Sequence, residues 1–144
     1  MKGWLLDTNV ISELRRSNCD ARVKAWSESL SQDELYLSSI TVAEIRYGIE
    51  LLADTAFRAE LATWLEQVLR PWFGERILPV DEDVILEWRR LVETGRAQGI
   101  VFSQPDLFIA ASARRHDLGV ATRNLADFRL TGVPLVDPWS GEGH

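Results

Sequence analysis

Trp4-Leu5-Leu6-Asp7-Thr8-Asn9-Val10-Ile11-Ser12-Glu13-Leu14 decides how the rest of this chain is read. Residues 4–6 have the length and apolarity of a buried strand. Thr8-Asn9 supplies turn chemistry, and Val10 to Arg16 keeps a helical spacing. Strand, turn and helix in succession open an α/β unit. The aspartate between them is the anomaly. A carboxylate at the end of a buried strand is costly to desolvate, and a serine or threonine would cap the following turn as well. Asp7 therefore asks for a chemical explanation.

The same alternation runs through the remainder. Residues 35–38, 77–80, 119–122 and 133–136 read as further short strands. Asp20 caps a predicted helix over 21–30, and Thr41 opens another in which Val42, Ile45, Ile49 and Leu52 keep helical spacing. A helix over 56–69 is expected to stop near Pro71. Residues 81–96 carry Val84, Ile85, Trp88, Leu91 and Val92 on one side, and Pro105 begins a helix that continues over 107–115. This order predicts an α/β fold with a mainly parallel sheet. At 144 residues the chain fits a single domain, 1–144, with a frayed tail at 140–144.

Composition excludes several classes. An apolar content of 46% is that of a globular protein, not a disordered one. No apolar run approaches the roughly 18 residues of a membrane span. The start lacks the basic and long apolar regions of a signal peptide. The one cysteine, Cys19, cannot form an internal disulfide, so the expected compartment is the cytoplasm. A net charge of −6 argues weakly against nucleic acid, but basic residues can cluster locally. Ser38, Ser39 and Ser103 have no neighbouring histidine for serine hydrolysis, and no phosphate loop is present. Asp7 as a phosphoryl-accepting nucleophile lacks its usual lysine, since none follows Lys24.

In parallel sheets the binding crevice lies at the carboxyl ends of the strands. Oxygen-bearing side chains gather there in the sequence: Asp7 after the first strand, Glu44 after the second, Asp106 opening a helix, Asn124 and Asp127 after the fourth strand. Singly, each has a plain reading. Asp7 and Asn9 fit an Asx turn, Thr41-x-x-Glu44 a capping box, Asp106 a helix dipole, and Asp127 a local turn. Together they demand more. Two carboxylates ~5 Å apart repel by roughly 3 kcal/mol at an effective dielectric near 20. A shared proton or a bound cation relieves this, and oxygen-only ligands favour Mg²⁺ or Mn²⁺ over zinc. That is the chemistry of metal-dependent nucleases.

Four blocks in order, LLDTNVISEL, LSSITVAEIRYGIELL, PDLFIAASARRHDLGVATRNLADF and PLVDPW, give the chain a close resemblance to PIN domains of the VapC/FitB toxin type. The resemblance implies a three-layer α/β/α domain and a metal-dependent endoribonuclease, the toxin of a type II toxin–antitoxin pair. It implies a homodimer, an RNA substrate and a cognate antitoxin. It places Asp7, Glu44 and Asp106 at a Mg²⁺ or Mn²⁺ site, with a fourth position at Asn124 or Asp127, a choice left open here. Thr8, Asn9 and Thr122 would steady the carboxylates and a water. The alternative is a catalytically weakened PIN-like module that binds RNA or a partner, motivated by the neutral Asn124.

Among basic residues Arg46, Arg114, Arg115 and Arg123 are candidates for phosphate contacts. Arg123 has the best case because it adjoins a strand end. Trp64 and Trp88 read as core. Trp26, Trp72 and Trp139 are candidates for an interface or for packing. His116, near a helix end, is not read as a general base.

Overall fold

The computed structural model describes residues 1–143. Strands β1 (Trp4–Leu6), β2 (Leu35–Ser38), β3 (Ile77–Leu78), β4 (Gly119–Ala121) and β5 (Leu135–Val136) form one sheet in the order β3-β2-β1-β4-β5. Every pairing is parallel, and Leu5 of β1 lies beside Tyr36 of β2 and Val120 of β4. The chain winds outward from β1 through β2 and β3, then returns to lay β4 on the other side of β1. The strand order therefore reverses at β1, and Asp7 sits at its carboxyl end.

Alternation of side chains along the pleat sends Leu5 and Leu6 to opposite faces, and each face carries its own core. Against one face pack α1 (Thr8–Arg15), α2 (Ala21–Glu28), α3 (Ser39–Glu50), α4 (Thr55–Trp64) and α5 (Arg70–Phe73), burying Val10, Val23, Leu69 and Phe73 with Leu6 and Leu37. Against the other pack α6 (Glu82–Ala97), α7 (Gln104–Arg115) and α8 (Leu125–Phe128), burying Val84, Leu91, Leu107 and Phe128 with Leu5 and Val120. Both faces are covered, giving the three layers expected. α7 reaches deepest: Ala110, Ala111 and Ala113 have no measurable exposure, and their small side chains let the helix lie close on the sheet.

Three local readings are corrected. The helix expected to stop near Pro71 runs on to Phe73. Residues Leu65–Leu69 widen into a π-turn between α4 and α5, and the Arg70 N–H reaches the Leu65 carbonyl. A proline in a helix lacks one N–H and crowds the carbonyl four residues back; a widened turn just before it accommodates both. Second, α3 begins at Ser39, not Thr41, because Ser38 Oγ accepts the Ile40 N–H at 3.1 Å. Thr41 is consequently inside the helix and fully buried, and the Thr41-Glu44 capping box does not form. Third, the strand read over 77–80 ends at Leu78.

At the tail, the Gly141 N–H bonds the Asp137 carbonyl at 2.7 Å, and Gly143 bridges antiparallel to Val136. His144, part of the tail called frayed, lies outside the described residues. Trp139 is buried at 6% exposure against the first core, so it packs in the interior. No helix among the described residues is long and apolar enough to cross a membrane.

Candidate metal centre

Asp7 is held where β1 meets β4. Its own N–H bonds the Ala121 carbonyl at 2.9 Å, and its side chain caps α1. One carboxylate oxygen accepts the Thr8 backbone N–H at 2.8 Å. The other accepts the Thr122 hydroxyl at 2.8 Å and the Asn9 side-chain amide at 3.3 Å. Only 6% of Asp7 is exposed. Burial raises its carboxyl above the ordinary range, the Thr122, Thr8 and Asn9 bonds pull it down, and the charge on Asp127 pushes it up again; the balance is upward. The residues expected to steady Asp7 all touch it, Thr8 through its backbone.

Asp106 enters from the first turn of α7. Its carboxyl is pushed up to about 6. Burial is the largest cause, followed by the charges on Asp7 and Asp127, with Glu44 adding a smaller push and a hydrogen bond with Ser103 opposing. Four acids from well-separated parts of the chain thus lie within electrostatic reach of one another at the carboxyl end of the sheet. Glu44 stands on α3, exposed, and shares a hollow of about 230 Å³ with Thr8, Ser12 and Arg15. Asp127 stands on α8 and lines a hollow of about 180 Å³ with Ser103 and Asp106.

Asn124 and Asp127 part ways here. Asn124 is the residue that starts α8, and its N–H bonds the Thr122 hydroxyl at 3.0 Å. Asp127, one turn on, is the residue whose charge is felt at both Asp7 and Asp106.

In this arrangement no three His, Cys, Asp or Glu side chains among the described residues stand close enough to hold one ion together. The acids sense one another without closing. The donor set nevertheless suits a hard dication: carboxylate, hydroxyl and amide oxygens only, with Cys19 and His116 elsewhere. His116 is kept below its ordinary value, by burial first and then by Arg115.

Of the arginines weighed for phosphate, Arg114 and Arg115 sit in the last turn of α7, about 13 Å along the axis from Asp106. They pair with Glu87 and Asp83 of α6, each at 3.2 Å. Arg46 stands on α3 beside a separate hollow with Ile49 and Glu66. Arg123 is at the site: its backbone N–H bonds Asn9 Oδ1 at 3.2 Å, and its guanidinium lies 4.8 Å from the Trp139 ring centre. Ser103, Arg15 and Arg16 were not read as site residues. Ser103 carried a signal, since it precedes Pro105 and Asp106 at a helix start; the two arginines carried none.

Comparison with known proteins agrees with this geometry. A family model described as PIN domain matches residues 4–132. Toxin FitB of Neisseria gonorrhoeae (strain ATCC 700825 / FA 1090) is 42% identical over 135 residues, covering 94% of this chain and 97% of that protein. VapC ribonuclease Y4jK of Sinorhizobium fredii (strain NBRC 101917 / NGR234) is 37% identical over 135 residues, covering 94% and 96%. The crystal structure of FitAcB from Neisseria gonorrhoeae superposes with a TM-score of 0.88 at 42% identity, covering 94% of this chain and 98% of that one.

Proposed function

The chain belongs to the PIN-domain family, and from that premise we propose that it is a metal-dependent endoribonuclease, the toxin of a type II toxin–antitoxin pair. The observation that carries this is Asp106. Its carboxyl is raised to about 6 by burial and by Asp7, Asp127 and Glu44 together. A stable fold keeps such a cluster where a cation is meant to offset it.

Asp7, Glu44 and Asp106 would hold Mg²⁺ or Mn²⁺, with Asp127 as the fourth acid in preference to Asn124. When bound, the ion supplies positive charge beside a phosphodiester and makes a water more acidic. The chain's own part is orientation. Thr122, Asn9 and the Thr8 N–H fix both oxygens of Asp7, so its lone pairs are aimed before any ligand arrives. Asp106, raised by burial and by the neighbouring acids in the metal-free chain, would be held ionised by a bound dication and would serve as one of its oxygen ligands. Arg123 stands one residue from Thr122 and is placed to meet a phosphate. RNA is the substrate under this reading, and it puts the site of action in the cytoplasm. A cognate antitoxin would cover the site, and the toxin would assemble as a homodimer. The weakened-module alternative rested on Asn124; the charge at Asp127 supports a complete set of acids instead.

The test is cleavage of defined RNAs by the purified chain. Cleavage should require Mg²⁺ or Mn²⁺, stop with EDTA, and disappear in Asp7→Asn while the circular dichroism spectrum is kept. An Asp7→Asn protein that cleaves at the wild-type rate sinks the ribonuclease reading.

A further inference from the structure

In a chain of net charge −6, at least seven of the fourteen arginines pair with a carboxylate. Arg22 holds Asp20 through two bonds, Arg70 holds Glu66, and Arg114 and Arg115 hold α6. Arg76 donates to the backbone carbonyls of Leu35 and Trp72. Arg15, Arg16 and Arg123 reach no carboxylate among the described residues, and all three line one cleft of about 560 Å³ with Asn9, Ser12, Glu13 and Trp139.

The acids near this cleft are occupied. The Glu13 carboxylate accepts the Asp20 backbone N–H at 3.0 Å. Asp20 is held by Arg22 and pulled down to about 2. Three arginines against the one lining carboxylate, Glu13, leave the cleft lining with a net positive charge. Arg123 is the most constrained of the three. Its guanidinium lies over the ring of the buried Trp139, 4.8 Å from the ring centre, and its backbone is tied to Asn9, whose amide bonds Asp7. One side chain, Asn9, thus separates the cationic cleft from the acidic centre. Arg15 stands at the other rim, 5.9 Å from the Phe57 ring centre, and also lines the hollow that contains Glu44. The cleft thus borders the acidic centre at Asn9, and at Ser12 and Arg15 it borders the hollow that contains Glu44.

We propose that this cleft is the path of single-stranded RNA: Arg15, Arg16 and Arg123 hold phosphates flanking the scissile bond, and Trp139 fixes the Arg123 guanidinium for them. The direction of the path rests on the ribonuclease reading; the binding does not. A stacked guanidinium loses little freedom when it engages a phosphate and presents a rigid fork of donors. An acidic protein segment would meet the arginines equally well, but its continuation would run into Asp7 and Asp106. A polyphosphate strand that ends on a cation does not meet that repulsion.

The experiment is fluorescence anisotropy of a short labelled single-stranded RNA with the full chain carrying Asp7→Asn, which does not cleave under the ribonuclease reading, in Mg²⁺ and titrated with salt. The triple variant Arg15→Gln, Arg16→Gln, Arg123→Gln should bind at least about tenfold more weakly and lower the slope of log affinity against log salt by about 2, at ~0.7 per lost phosphate contact. Arg123→Gln alone should lower the slope by about 0.7, and it serves if the triple variant folds poorly. Trp139→Phe, which keeps every charge, should weaken binding a few-fold and leave the slope unchanged. The pair Arg114→Gln, Arg115→Gln should bind like the Asp7→Asn parent. An unchanged slope in the triple and Arg123 variants overturns the proposal, as does an equal loss in the Arg114, Arg115 pair. A labelled poly-glutamate peptide that binds as tightly as the RNA, and is lost with it, assigns the cleft to a protein and overturns it too. Metal-independent failure of cleavage with the slope change intact would fell the ribonuclease reading and leave the cleft standing.

Discussion

The two ends of α7 handle charge in opposite ways. In its last turn, Arg114 and Arg115 each meet a carboxylate of α6 at 3.2 Å, and Glu87 also receives Arg90 at 2.7 Å. In its first turn, Asp106 feels Asp7, Asp127 and Glu44, three like charges among the largest forces on it. One helix, laid on the sheet by the same run of buried alanines, joins a settled surface to an unsettled one. The paired end resembles ordinary surface chemistry, in which opposite charges meet and little is gained or lost. The like-charged end opposes folding and is retained, which is what a binding centre requires and a structural one does not. Two groups of arginines repeat the contrast: Arg114 and Arg115 are paired with α6, whereas Arg15, Arg16 and Arg123 form no ion pair among the described residues.

The largest effect that could break this contrast is at Asp127. If the like-charged end is the working one, Asp127→Asn should reduce metal-dependent RNA cleavage about 100-fold, or roughly 2.7 kcal/mol of transition-state stabilisation. Asn124→Ala should stay within about threefold, because that residue only starts a one-turn helix. Initial rates on one defined RNA decide it. Equal losses in both variants would mean that the α8 segment acts as a scaffold and that Asp127's charge has no separate role.

That pair of residues also marks how far the sequence could be read. Asp7 was visible because a carboxylate ends a buried strand; Asp106 obeys the local rule for a helix start and was singled out only with the other acids at the strand ends. The sheet was visible because each strand is a short apolar run bounded by turn residues. The choice between Asn124 and Asp127 was not, because they lie three residues apart, and a shift of one residue in the start of a single turn exchanges which of them faces the acids. Nor was the arginine cleft legible. Arg16, Arg123 and Trp139 come from distant parts of the chain, and the β1–β4 and β4–β5 pairings bring them together. The helix continuing through Pro71 was misread for a different reason: proline was weighed as a helix stop, and a widened turn upstream removes the conflict.

A smaller effect tests the same contrast through stability. The Asp106 carboxyl lies near 6 in the folded chain against an ordinary 3.8. Above pH 6 it is ionised in both folded and unfolded states, and the fold bears the burial and repulsion. Below about 3.8 it is neutral in both, and that burden is gone. Between the two, the metal-free protein gains stability from this group as pH falls. Asp106→Asn mimics the neutral form. At pH 8 in EDTA it should be more stable than wild type by about 1 kcal/mol, discounted because the group is half exposed to solvent, and Tm should rise by about 3 °C. At pH 4 the difference should shrink toward zero. Mg²⁺ should raise the Tm of wild type more than that of the variant, since a ligand stabilises the state that binds it. A variant less stable than wild type at pH 8 in EDTA would show that the Asp106 charge is already compensated within the fold.

The smallest effect belongs to the paired end, and its smallness is the point. Arg115 and Asp83 are 47% and 58% exposed, so water screens their attraction and both side chains lose freedom on meeting. A double-mutant cycle with Arg115→Gln and Asp83→Asn should return a coupling of about 0.3–0.5 kcal/mol, falling further with added salt. Arg114 with Glu87 should couple more strongly, up to about 1 kcal/mol, because Glu87 is only 17% exposed and serves two arginines. Neither pair should alter RNA cleavage, since Arg114 and Arg115 lie more than two turns of helix, about 13 Å, from Asp106. Urea unfolding of the four proteins in each cycle gives the coupling directly. If either cycle instead changed the cleavage rate by tenfold, α7 would have to transmit charge along its length, and its two ends could no longer be treated as separate.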